Sequence, residues 1–192
     1  MTSQAAKQVP SDLFNGLNTR QLIETVEVLK RDTTLAKFEF RARNEWIDGV
    51  ENRSVIQGFY GAGAEDESRL VPFTYTSGEP PVLLGANEGA NAGEFLLHAL
   101  AACVTSTAVM HATARGIRIG SISTELRGVV DLQGALALDP AVPAGFQQIT
   151  VNMAIKADCS DAELDDLLEL VHKHSAICDT VCRPVPVVLK RV

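Results

Sequence analysis

This chain is short of basic residues. Its 17 Lys and Arg stand against 24 Asp and Glu, the net charge is −7, and no basic stripe forms. A surface of that sign does not draw in a phosphate backbone, so nucleic acid is not expected as a partner. The opening stretch, Met1–Pro10, is polar and has no apolar segment of the secretory type, which gives the expectation of a cytoplasmic protein with a frayed start. Also missing are G-x-G-x-x-G, the P-loop, H-E-x-x-H and G-x-S-x-G. Dinucleotide, nucleotide, zinc-protease and serine-hydrolase chemistry therefore have no foothold. No segment recurs with a fixed period. Cysteine is limited to Cys103, Cys159, Cys178 and Cys182. In a reducing compartment such residues are buried, redox-active or metal-bound more often than cross-linked.

What the chain does have is one long apolar segment, Asn91 to Arg115, closed by Gly116. Asn91 is a good N-cap, Ala and Leu fill the interior, and Arg-Gly is a C-terminal stop, so a helix is expected. One stripe collects Leu96, Ala99, Leu100, Cys103, Thr107, Met110 and Ala114. Cys103 is thus expected to face the core or a partner subunit. The segment is long enough for a bilayer. Glu94, His98 and His111 inside it, with many small residues, favour a core helix over a span, so no membrane is expected.

On either side the chain alternates. A helix is expected over Asn18 to Asp32, with Leu22, Ile23, Val26 and Leu29 as its apolar stripe. Thr33 to Trp46 reads as a strand, Asp48-Gly49 as a hairpin turn, Arg53 to Tyr60 as the returning strand, Gly61 to Ser68 as a loop and Leu70 to Tyr75 as a third strand. After the long helix come strands over Ile117 to Leu132 and Phe146 to Ala157. Ser160-Asp-Ala-Glu163 is a capping box that opens a helix. A short second helix follows Ser175, Pro184 ends it, and Val185 to Leu189 reads as a last strand. The order implies an α+β fold with antiparallel sheets around a long buried helix.

Two of these segments resemble a known family. Glu94-Phe-Leu-Leu-His-Ala-Leu-Ala-Ala-Cys103, closed by Ala114-Arg-Gly-Ile117, is similar to the central helix of the OsmC/Ohr family. Ser175-Ala-Ile-Cys-Asp-Thr-Val-Cys-Arg-Pro-Val-Pro-Val187 is similar to its C-terminal motif, and Trp46-Ile-Asp-Gly49 and Gly128-Val-Val-Asp-Leu132 fit as well. The resemblance runs from about Leu35 to Leu189. It divides the chain into an N-terminal arm and helix, 1–32, and an OsmC-like domain, 33–192. It implies an intertwined homodimer and a thiol-dependent peroxidase that reduces organic hydroperoxides, with a dithiol reductant and no cofactor.

In that pattern Cys103 takes the attacking position. The resolving position falls on Ser175, and Cys178, three residues on, is the available substitute. The family's glutamate falls at Gly93, with Glu94 next to it, and Arg53 after the hairpin is the candidate for its arginine. The alternative is a non-catalytic dimer that binds a small hydrophobic ligand at its interface.

Elementary chemistry sharpens these expectations. Peroxide reduction needs a thiolate, and a free cysteine ionises only near pH ~8.5. A helix N-terminus favours an anion only within its first turn, and Cys103 lies about three turns in. Arg115 is roughly 18 Å along the same helix at about 1.5 Å per residue. The sequence therefore calls for a cation from elsewhere, Arg53 or a second chain. Nine residues of helix turn about 900°, which puts Glu94 opposite Cys103. His98 and His111 read as ordinary helix histidines and Cys159 as structural. Cys178 and Cys182, with His172 or His174 nearby, lack a second C-x-x-C-type pair, so no metal is expected.

Overall fold

The computed structural model describes residues 13–191. In chain order these form β1 (Leu13–Phe14), β2 (Leu17–Asn18), α1 (Thr19–Arg31), β3 (Glu39–Phe40), β4 (Arg43–Asp48), β5 (Glu51–Ile56), β6 (Phe59–Gly61), β7 (Ala64–Asp66), β8 (Phe73–Ser77), α2 (Ala92–Ala114), β9 (Ile119–Val130), α3 (Leu132–Ala135), β10 (Phe146–Ala157), α4 (Asp161–His174) and α5 (Ala176–Cys182). The pairings β1–β2, β9–β10, β3–β6–β7 and β4–β5–β8 are all antiparallel. The fold is the expected α+β arrangement. The chain divides into two compact units, one made of Gln21–Leu96 and the other of the segments before and after it.

The unit holding most of α2 contains the hydrophobic core. Strands β9 and β10 pair over their whole length, from Phe146 opposite Val130 to Ala157 opposite Ile119. Period-2 alternation puts Ile122, Leu126, Ile149, Val151 and Met153 on one face. They pack against Leu100, Val104 and Ala108 of α2 and Val171 of α4. A second cluster joins Ala112, Ile117 and Leu167, with Cys159 and Leu164 packed against it. Cys159 is therefore a core residue.

Both ends of α2 are closed by the residues the sequence singled out. Gly116 sits at φ 72°, a conformation that costs any side chain but suits glycine. The Ile117 N–H donates to the Ala112 carbonyl at 2.9 Å and the Gly116 N–H to the Thr113 carbonyl at 3.1 Å. This pair of bonds is a Schellman stop. By length and composition α2 is also a helix a membrane would accept; in this fold it forms one side of the core.

A hairpin not foreseen from the sequence braces the end of α2. Asn15 and Gly16 both take positive φ, 49° and 79°, as the two central residues of a type I′ turn require. The Asn15 amide donates to Thr113 Oγ1 at 3.2 Å and to the Ile117 carbonyl at 2.8 Å, and its oxygen accepts from the Ile119 N–H at 2.9 Å. Asn15→Ala is expected to cost about 1–3 kcal/mol, because it strands partly buried partners and loses the turn preference. The check is a lower urea midpoint at unchanged slope.

The second unit has a different character. Among the residues of Gln21–Leu96 only Gly61 and Gly78 are buried. Phe38 stacks on Phe40 and on Phe59, and Phe40 meets Phe59 tilted, yet Phe40 is 73% exposed and Trp46 71%. Helix α1 has the expected apolar stripe, but Ile23 and Val26 on it are open to solvent. These are faces built for burial that nothing in the unit covers.

Several expected boundaries are corrected. Thr33 to Trp46 is not one strand. Asp32 accepts from the Thr34 N–H at 3.0 Å and from its hydroxyl at 2.6 Å, which winds Thr33–Ala36 into a 3-10 turn. Only β3 and β4 remain extended. The returning strand splits into β5 and β6, and the expected loop after it folds back as β7. The third strand is Phe73–Ser77 rather than Leu70 to Tyr75. Val185 to Leu189 forms no strand; it pairs with none of the sheets, and an apolar run alone does not make a strand. The expectation about Met1–Pro10 lies outside the described residues.

Candidate active site

The site is assembled where α4 hands over to α5. The capping box that opens α4 is present: the Ser160 N–H donates to Glu163 Oε2 at 2.8 Å, and the Glu163 N–H donates back to Ser160 Oγ at 3.3 Å. Leu167 and Val171 bury one face of α4 and fix its course. The helix ends at Ser175, which is completely buried. The Ser175 N–H donates to the Val171 carbonyl at 2.9 Å, and its Oγ accepts from the Cys178 N–H at 3.4 Å. One residue therefore closes α4 and opens α5.

A helix start leaves backbone N–H groups without intrahelical acceptors. Two of those of α5, on Ala176 and Ile177, point at Cys103. The Ile177 N–H donates to Cys103 Sγ at 3.5 Å. Burial pushes the Cys103 thiol up, but hydrogen bonds from the Ile177 N–H, the Ser175 and Thr107 hydroxyls and the Ala176 N–H outweigh it. The net result is a thiol below its ordinary range, since donors to the thiolate favour the charged form. Sequence reasoning demanded a cation for this. The donors named here are neutral, and all but Thr107 come from a segment more than seventy residues further on.

The buried arc of α2 also differs from the expected stripe. Leu100, Val104, Thr107, Ala108, Ala112 and Thr113 are the buried positions, while Leu96 and Met110 are exposed. Cys103 lies at the edge of this arc and is half-buried. That location leaves the sulfur within reach of solvent. Thr107, one turn on from Cys103, was visible in the sequence as a polar residue in an apolar stripe. Ser175 was visible only as the residue before a short helix.

Cys178 packs against the Leu100, Val104, Ala108 and Val171 cluster. Burial pushes its thiol up, and the Cys182 thiol, the Cys103 charge and Asp179 add to the rise. The Cys178 and Cys182 sulfurs are 4.0 Å apart. The two half-buried thiols are thus set in opposite directions, Cys103 towards the thiolate and Cys178 towards the thiol.

Glu94 and Arg53, the other two candidates, fall within Gln21–Leu96. Glu94 is committed to the start of α2: the Asn91 N–H donates to Glu94 Oε2 at 2.9 Å, and the Glu94 N–H donates to Asn91 Oδ1 at 2.9 Å. This reciprocal pair is a capping box, in accord with the helix geometry that pointed Glu94 away from Cys103. Arg53 is exposed on β5, paired in register with Glu45 and Thr76. His111 stacks on His174 with ring centres 5.6 Å apart. Burial, then His174 and Arg115, hold His111 below its usual value, so it stays neutral near pH 7.

Ser175→Ala and Thr107→Val each remove a donor to the sulfur. Both variants are expected to raise the pH at which Cys103 is half-alkylated by iodoacetamide, because each removes a hydrogen bond that lowers the Cys103 thiol. Ser175→Ala also removes a cap, at a cost of about 1 kcal/mol. Alkylation profiles read by mass spectrometry, with thermal melts alongside, separate the two effects.

The sequence model of the family described as OsmC-like protein matches residues 85–190. No curated protein matches the sequence. Among solved structures, the fold is similar to an OsmC-like protein from Mycoplasma pneumoniae, with TM-score 0.59 and 17% identity over 75% of this chain and 87% of that one. It is similar as well to an OsmC-like protein of unknown function from Vibrio cholerae, with TM-score 0.52 and 11% identity over 74% and 92% of the two chains.

Proposed function

Since the chain belongs to the OsmC-like protein family, we propose that it is a thiol-dependent peroxidase that reduces organic hydroperoxides through Cys103. The observation that carries this reading is the lowered Cys103 thiol beneath the first turn of α5. The thiolate attacks the distal oxygen of ROOH, the O–O bond breaks, and the alkoxide takes a proton and leaves as ROH. Sulfur is oxidised by two electrons to the sulfenic acid. The Cys178 thiolate then attacks that sulfur and expels the hydroxyl as water, forming a disulfide. An external dithiol returns both cysteines to thiols. Because Cys178 is pushed up, its thiolate fraction grows as pH rises, so resolution is expected to speed up on the alkaline side while the first oxidation is already under way at neutral pH.

The functional form in this reading is a homodimer. The support is that Gln21–Leu96 has aromatic sheet faces and no buried side chain larger than glycine, a poor basis for folding alone. Light scattering is expected to give twice the 20.6 kDa chain mass.

The chemical test is to treat the reduced protein with cumene hydroperoxide and map the products by mass spectrometry. Sulfenic acid at Cys103, passing to a Cys103–Cys178 disulfide, is the expected result. Oxidation that begins at any other cysteine would overturn the reading.

A further inference from the structure

Beside the Cys103 site, and sharing Cys178 with it, the fold brings together a second group of ligating side chains. His172 lies in the last turn of α4, and Cys178 and Cys182 lie one turn apart on α5. The ring nitrogen and the two sulfurs all lie within 4.8 Å of one another. The sequence offered two cysteines four apart with His172 or His174 nearby, and without a second C-x-x-C-type pair no metal was expected. The turn at Ser175 adds the imidazole, by folding α5 back beside the end of α4.

The spacing has a chemical meaning. Two thiolates bound to one tetrahedral Zn2+ at about 2.3 Å each are about 3.8 Å apart, and a thiolate and an imidazole nitrogen about 3.6 Å. The observed sulfur–sulfur distance is 4.0 Å. The imidazole needs to close by about 1 Å, which rotation of an exposed side chain provides. A disulfide fits this pair worse. It requires sulfurs at about 2.05 Å and Cβ atoms about 3.5–4.5 Å apart, closer than successive turns of a helix bring them. Asp179, which lies between the cysteines in sequence, has its Oδ2 held by Arg183 at 2.6 Å, so it is engaged elsewhere.

We propose that His172, Cys178 and Cys182 form a binding site for a soft divalent cation, Zn2+, with three protein ligands and water in the fourth position. Two thiolates and an imidazole select zinc over magnesium or calcium. Binding releases the thiol protons, so affinity rises with pH until both thiols have ionised. The two exposed ligands and the half-buried Cys178 give the ion a direct path from solution. The site stands apart from the peroxidase reading, although the two share Cys178. A bound ion holds that sulfur as a thiolate ligand and withholds it from any other reaction.

The test uses the full chain, kept reduced, and the metal alone. Titration with Co2+ is expected to give one ion per chain, with a thiolate-to-cobalt charge-transfer band and the intense visible bands of a four-coordinate ion. Zn2+ should displace it. Chelator competition is expected to show Cys182→Ser and His172→Gln each weakening Zn2+ binding by more than tenfold, beyond the lower end of what loss of a second-shell partner causes (about 10–100-fold). Cys103→Ser is expected to keep the affinity. With Zn2+ present, maleimide labelling read by mass spectrometry should spare Cys178 and Cys182 and still reach Cys103. Equal affinity in Cys182→Ser and wild type overturns the proposal. So does protection that falls on Cys103, or sparing of Cys178 and Cys182 without added metal because they form a disulfide.

Discussion

Cys103→Ser is expected to bring consumption of cumene hydroperoxide down to the rate in buffer, a loss on the order of 10⁴-fold or more, the scale on which removal of a covalent nucleophile acts. A serine hydroxyl is far less acidic than a thiol and is not ionised by the same donors. The Ile177 N–H, the Ser175 and Thr107 hydroxyls and the Ala176 N–H all find an oxygen where the sulfur was, so the local fold is retained. Circular dichroism and the melting temperature should therefore stay close to wild type while turnover disappears. Cys178→Ser is the informative contrast. It leaves the first oxidation intact, and the reaction then stops at the Cys103 sulfenic acid, trapped by dimedone. A Cys103→Ser protein that consumes peroxide at an undiminished rate would end the peroxidase reading, whatever its fold.

The second large effect is on stability. Leu167 is completely buried and packs with Ala112 of α2, Ile117, Ile119, Ala157, Cys159 and Leu164. Leu167→Ala is expected to cost about 2–5 kcal/mol, the transfer term plus the cavity left behind. That is a large part of the roughly 5–15 kcal/mol that holds a domain folded. Leu167→Met conserves volume and should cost less than about 1.5 kcal/mol. Urea unfolding checks both, as a shift in midpoint at constant slope. A Leu167→Ala shift under about 1 kcal/mol would mean that α4 is not anchored at this point.

How much of this was legible in the sequence depends on whether a pattern had a direction to report. Strands β9 and β10 each have one wet face, so alternation located them almost to the residue. The ends of α2 and the start of α4 were legible because Asn91, Gly116, Ser160 and Glu163 are capping residues with one dominant use. The rotation of α2 was not. A helix apolar on nearly every side gives periodicity nothing to orient, and the expected stripe shares only Leu100 and Thr107 with the arc that is buried. Two of the donors to Cys103 were hidden for another reason: the Ile177 and Ala176 N–H groups are backbone groups of a distant helix, and backbone groups have no letter. The N-terminal hairpin did carry a sign, Asn15-Gly16, but two-residue strands show no alternation to draw attention to it. The family resemblance supplied the attacking cysteine. The neutral route to its ionisation came from the fold.

The sheets of Gln21–Leu96, with no buried core of their own, have a consequence for how this protein is kept folded. Under the proposed homodimer, folding of that half and meeting a second chain are a single reaction, and its equilibrium carries a concentration. Each tenfold dilution takes about 1.4 kcal/mol from it. Dilution then acts on this half as urea acts on an ordinary domain, while the unit with its own core is insulated. The donors to Cys103 lie in that insulated unit, so its acidity is expected to survive dilution that loosens the sheets. How much of the protein is properly folded becomes a question of how many copies a cell holds.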